Sequence, residues 1–139
     1  MKKIGLLILS AVAAVTVADS SNVTPVHAFQ PFKKEFENLY IKETPATEAA
    51  RSLKAAFVTK SCGVCHPDSK DKKNRNNYGK AIKKFIPADL DKAGLEALKK
   101  NAPQIKELLE KAAKEPSDPK NPNSPTFGQR IEEGKLPGE

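Results

Sequence analysis

Methionine occurs once, as Met1, tryptophan is absent, and the chain has only two cysteines, two histidines and two tyrosines. Each scarcity excludes something. Two cysteines in 139 residues cannot staple a disulfide-built miniprotein. No apolar run reaches the roughly 18 residues of a membrane span, so a polytopic membrane protein is excluded. A chain of 139 residues has room for one small domain and not for a multi-domain enzyme. Neither an alternating strand pattern nor an internal repeat is present. A domain of this size buries only a modest apolar core, so a large apolar ligand would add much to its stability.

Charge is abundant. Lys and Arg number 24 against 17 Asp and Glu, a net charge of +7. The first residues contribute to it: Met1-Lys2-Lys3 is a short positive segment, and Ile4 to Val17 is apolar or small throughout. That length suits the core of a secretory signal and is short for a membrane anchor. Val26-His27-Ala28 carries small side chains at the two positions that signal peptidase reads. Residues 1–28 are therefore expected to be a signal peptide, cleaved after Ala28, with Thr16-Val17-Ala18 as a second, weaker cleavage point. No cysteine follows the apolar core in the manner of a lipoprotein. The exported chain would be periplasmic or its equivalent, with no stable membrane span once the signal is removed. Cleavage after Ala28 also removes the only methionine and one of the histidines, leaving a net charge of +6.

The rest reads as an all-α domain over residues 29–139. Phe32, Phe36, Leu39 and Tyr40 recur at helical spacing and predict a helix over 32–42. Thr44-Pro45 reads as a cap for a helix from about 45 to 60, with Leu53 and Phe57 on its apolar face. Residues 68–76 read as a polar loop. Tyr78, Ala81, Ile82, Phe85 and Ile86 predict a helix ended by Pro87. Asp89 is expected to cap a helix running to about Lys100, and Asn101 with Gln104 to open another through Ile105, Leu108, Leu109 and Ala112. Residues 115–125 hold four prolines and read as a stiff, extended connector. A short last helix is predicted from Ser124-Pro125 through Phe127 and Ile131 to Gly134.

Between the second and third of these helices stands Cys62-Gly63-Val64-Cys65-His66. In C-x-x-C-H, two thiols three residues apart can each add to one vinyl group of a haem. The histidine that follows is then placed beneath the iron. Other readings of the pattern are a redox disulfide, a zinc site and chance. The first lacks its βαβ context, and the second lacks ligands, since one His and two Cys fall short of four.

With these residues, the chain resembles the monohaem c-type cytochromes, and among them the small class-I proteins, whose haem motif sits early, at the end of an apolar helix. Asn77-Tyr78-Gly79, Ser124-Pro125-Thr126-Phe127-Gly128 and Gly134-Lys135-Leu136-Pro137 are also loosely similar to short cytochromes of planctomycete-type bacteria. The resemblance implies five to six short helices around one covalent haem c, with Cys62 and Cys65 attached to the porphyrin and His66 as the proximal iron ligand. It implies an electron carrier between redox partners and not an enzyme. A gas-binding or sensing protein with five-coordinate iron is the alternative. A peroxidase-like activity stands third, since no distal histidine is present to manage protons.

The chain departs from the family at the sixth iron position. Class-I cytochromes place a methionine there, and no methionine follows residue 1, nor any histidine after His66. Thr126, near where that methionine is expected, is a poor iron ligand. The position is left open, or taken by a Lys, by Tyr40 or Tyr78, by the new amino terminus, or by His27 if cleavage falls at Ala18. A companion subunit that supplies a ligand or covers the haem edge is compatible with the sequence. The apolar residues Leu53, Phe57, Ile82, Phe85, Leu95, Leu98, Ile105, Leu108 and Leu109 are enough to line a haem but few for an independent core. A haem-free chain is therefore expected to be largely unfolded.

The excess charge is local. Residues 70–84 hold Lys70, Lys72, Lys73, Arg75, Lys80, Lys83 and Lys84 against Asp71 alone. Lying just after the haem motif, this segment reads as a docking patch for an acidic redox partner, with a solvated surface as the bland alternative. Nucleic acid is not an expected partner, because the patch has no interleaved aromatics and the chain is exported.

Overall fold

The computed structural model describes residues 30–67 and 73–139. The expected signal peptide, residues 1–28, lies outside the described residues. Six α-helices follow in order: α1 Gln30–Tyr40, α2 Glu48–Lys60, α3 Asn77–Phe85, α4 Lys92–Lys99, α5 Ala102–Ala113 and α6 Phe127–Glu132, with a 3-10 turn over Ser61–Val64. No strand occurs among the described residues, and the only bridge is an isolated antiparallel pair, Pro116 with Thr126. The all-α expectation of five to six short helices holds. None of these helices is long and apolar enough to cross a membrane.

α5 is the central element, packing against α1, α3, α4 and α6. The reason is its apolar stripe: Ile105, Leu108, Leu109 and Ala112 are all buried, at the spacing that keeps one helix face inward. α1 lays Phe32 and Phe36 on it, and α3 contributes Tyr78 and Ile82. Aromatic rings join the layers. Phe36 stands 4.9 Å from Tyr40, 5.9 Å from Phe57 and 6.2 Å from Tyr78, centroid to centroid, and Tyr78 is 5.1 Å from Phe127.

This core corrects the count made from sequence. Phe36, Tyr78, Phe127 and Leu136 are fully enclosed although they stood outside that count, whereas Phe85 and Leu95 are only half-buried. The aromatics come from α1, α3 and α6, so periodicity within any one helix could not reveal that they meet. The described residues thus form a contiguous apolar core. The core therefore draws on more residues than that count held.

Caps set the helix starts, and three differ from expectation. Thr47, not Thr44, accepts the Ala50 N–H at the start of α2, and Asp91, not Asp89, accepts that of Gly94 for α4. α6 begins after Thr126, not at Ser124-Pro125, in a reciprocal capping box with Gln129. Each displaced residue is a legitimate cap by type, and the one whose side chain accepts the helix's free N–H lies two or three residues further on. Asn101 caps α5 as expected. α6 ends at Gly134, whose φ of 84° allows the Gly134 and Lys135 N–H groups to reach the carbonyls of Ile131 and Arg130.

The proline-rich connector is not extended. It folds back so that Ser117 N–H reaches Pro125 O at 3.0 Å and Phe127 N–H reaches Glu115 O at 3.1 Å. Asp118 and Asn121 accept from the backbone N–H groups of Lys120 and Asn123, turns that bend the chain between the prolines. Proline stiffens each step, but the side-chain turns decide the direction. Beyond α6, Leu136 and Pro137 are buried, and Glu139 returns to pair with Lys60 at the end of α2 at 2.5 Å.

Tyr78 donates its hydroxyl to the Leu109 carbonyl at 3.2 Å inside this core. Tyr78→Phe is expected to cost about 1 kcal/mol in urea unfolding, the net worth of one such bond plus the carbonyl left unpaired. A variant as stable as the parent would show that the bond contributes nothing.

Candidate functional site

α2 delivers the cysteine motif. After Lys60 the chain tightens into the 3-10 turn, and Cys62 O accepts from both Cys65 N–H (3.3 Å) and His66 N–H (3.1 Å). Residues three and four apart on one helical turn share a face, so Cys65 and His66 are gathered beside Cys62. Cys62, Cys65 and His66 are all half-buried, and neither cysteine is in a disulfide. Burial pushes the Cys65 thiol up to about 12, outweighing the lowering effect of Arg75. It is a neutral thiol at pH 7.

His66 is oriented from behind. Its Nδ1 lies 2.6 Å from the Asn74 carbonyl oxygen, eight residues further along the chain. A carbonyl can only accept, so Nδ1 carries a proton. An Nδ1–H···O=C bond of this kind fixes the orientation of the ring.

The return of the loop is tied to the motif by Asn76. Its amide nitrogen donates to Gly63 O at 2.9 Å and Val64 O at 3.1 Å, and its carbonyl oxygen accepts the Gly79 N–H at 2.9 Å, capping α3. Its backbone N–H donates to Cys65 O at 3.1 Å. At Gly79 a methyl group would overlap that same Cys65 oxygen, so only glycine lets α3 approach the turn this closely. Asn76 was missed from sequence. The signal that could have found it is its type and position, an asparagine directly before a helical pattern.

Other expected roles change. Tyr78 is withdrawn from the sixth iron position, since its hydroxyl is committed to Leu109 O within the core. Thr126 is a helix cap whose hydroxyl accepts the Gln129 N–H. For Tyr40, burial and then the Glu110 carboxylate raise the phenol above its usual value, which disfavours the phenolate form. His27 and Met1 lie outside the described residues. Two surface hollows, of about 390 and 550 Å³, sit elsewhere; neither is lined by Cys62, Cys65 or His66.

No group of three or more His, Cys, Asp or Glu among the described residues is arranged to hold a metal ion.

The basic segment falls largely on one face. α3 turns Tyr78, Gly79 and Ile82 inward and Lys80, Lys83 and Lys84 outward. Lys73 is exposed and Arg75 half-buried, while Lys70, Asp71 and Lys72 lie outside the described residues. One correction concerns Lys84, which pairs with Glu115 at 2.8 Å, a carboxylate brought in from the far end of α5. No protein-family model, curated protein or solved structure matches this chain.

Proposed function

We propose that the protein is an exported, single-haem c-type cytochrome that carries electrons. The observation that carries the reading is His66: its Nδ1 is engaged by the Asn74 carbonyl at 2.6 Å, on the same turn as Cys62 and Cys65. These residues fit the group. Cys62 and Cys65 would hold the porphyrin through thioether bonds, and His66 Nε2 would bind the iron. Bound there, haem supplies a one-electron couple; the protein supplies its orientation, its dielectric surroundings and the basicity of the histidine. The neutral state of Cys65 suits a thiol that ends in a thioether and never works as a thiolate.

A second reading, a gas-binding protein, is favoured by the fate of the distal candidates. Tyr78 and Thr126 are both spent on the fold, which narrows the protein ligands for the sixth position to the lysines, Tyr40 and groups outside the described residues. Optical and EPR spectra of the purified mature protein, ferric and ferrous, with and without carbon monoxide, separate the two. The electron carrier is expected to be low-spin and indifferent to carbon monoxide. A high-spin iron that takes up carbon monoxide would replace that reading with gas binding.

The exposed face of α3, with Lys80 and Lys83, is the proposed docking surface for an acidic redox partner. Reversing both charges, Lys80→Glu with Lys83→Glu, is expected to lower the association rate about tenfold or more at low salt. Stopped-flow measurement across ionic strength checks it: the difference should shrink as the Debye length falls below about 8 Å. A rate insensitive to salt and to both substitutions would remove the patch from the proposal.

A further inference from the structure

We infer that Asn76 is the positioning residue of the C-x-x-C-H turn, one side chain that locks the turn, the start of α3 and the histidine's carbonyl partner into a single unit. The inference rests on the haem reading for its redox consequence but not for its geometry. Three contacts define it: the amide donates to the carbonyls of Gly63 and Val64, and the amide oxygen accepts from Gly79. The orientation of the amide is unambiguous, because two acceptors lie on one side and a donor on the other. The Asn76 N–H to Cys65 O bond adds a fourth tie.

The geometry gives the residue leverage over His66. Asn74, whose carbonyl holds His66 Nδ1, is two residues before Asn76 on the same returning strand of loop. A bond of this kind lends the imidazole some anionic character, making Nε2 a stronger donor to iron. With the anchor gone, the Asn74 carbonyl loses its fixed distance, the histidine becomes a weaker donor, and the ferric state loses more than the ferrous. Asn76 therefore sets how strongly His66 ligates, through the backbone of the turn and of the segment that carries Asn74.

The substitution that isolates this role is Asn76→Ser. Serine still caps α3 but is too short to reach the Gly63 and Val64 carbonyls, so helix content should be retained. Thr47→Ala is the control: it removes the cap of α2 and lowers stability without touching the turn. In chain prepared without haem, iodoacetamide labelling of Cys65 is expected to speed up about tenfold or more in Asn76→Ser and to stay at the parent rate in Thr47→Ala. In haem-loaded protein, Asn76→Ser is expected to show a higher midpoint potential and a lower iron–histidine stretching frequency in the ferrous state, while Thr47→Ala shows neither. Parent-like labelling in Asn76→Ser overturns the positioning of the turn. Faster labelling with an unchanged potential and stretching band overturns the link to His66. If the parent chain takes up no covalent haem, the cytochrome reading fails, and the labelling comparison still decides the role of Asn76.

Discussion

Cys62→Ser with Cys65→Ser is expected to abolish covalent haem attachment. Expressed for export in a host with cytochrome c maturation machinery, the parent chain should keep its haem through a denaturing gel and gain the mass of one haem. The double variant should do neither. The effect is all or none because the two thioether bonds have no other nucleophile available: the chain has two cysteines and both are in the motif. Each single substitution should leave one bond and a weakened product. His66→Ala is expected to act differently, altering the iron's spectrum where attachment survives, since the imidazole is a ligand and not a point of covalent linkage. A parent chain that emerges free of haem from such a host would end the cytochrome proposal outright.

Phe36→Ala is the substitution with the largest expected effect on the fold, a loss of about 3–5 kcal/mol. Phe36 is fully buried and stands at the junction of three other rings, Tyr40, Phe57 and Tyr78. Truncation removes the apolar area of the ring and leaves a cavity whose lining, drawn from α1, α2 and α3, is held apart by α5. Pairwise ring contacts, worth about 0.5–1.5 kcal/mol each beyond area, are lost as well. The loss is a large part of the 5–15 kcal/mol that typically stabilises a domain. Urea unfolding should show a lower midpoint with an unchanged slope, and Phe36→Leu should recover much of the difference. A cost below about 1 kcal/mol would show that Phe36 does not occupy the core.

Salt bridges contribute little to this stability. Arg51–Glu48, Lys99–Glu96 and Lys111–Glu107 are helix-surface pairs within one or two turns, exposed and readily screened. Lys60–Glu139 differs in consequence, because it joins the end of the helix that delivers the motif to the segment following α6. Its worth lies in placement.

Much of the architecture was legible from local patterns. Six helical segments were readable because apolar residues recur every three to four positions, and Asn101 and Gly134 were identified as helix ends because their side-chain chemistry acts within a single turn. The C-x-x-C-H spacing was equally local: three chemically distinct groups brought to one turn by the period of a helix. Where two caps of the right type competed, as Thr44 with Thr47 or Asp89 with Asp91, local chemistry could not choose. The structure selects Thr47 and Asp91, with Leu53 and Leu98 of the helices they open buried in the core.

What the sequence by itself determined is thus the helical character of the chain, the approximate place of each helix and the three side chains of the candidate site. Only the tertiary structure decided that Tyr78 belongs to the core, that the proline-rich connector folds back on itself, that Lys84 meets Glu115, and that Asn76 and the Asn74 carbonyl hold the motif from behind. The physical reason is range. Periodicity and capping act over four or five residues, whereas a hydrogen bond from Tyr78 to Leu109 or from Asn76 to Gly63 joins residues that only the packing of α1 and α3 around α5 brings within 3.2 Å.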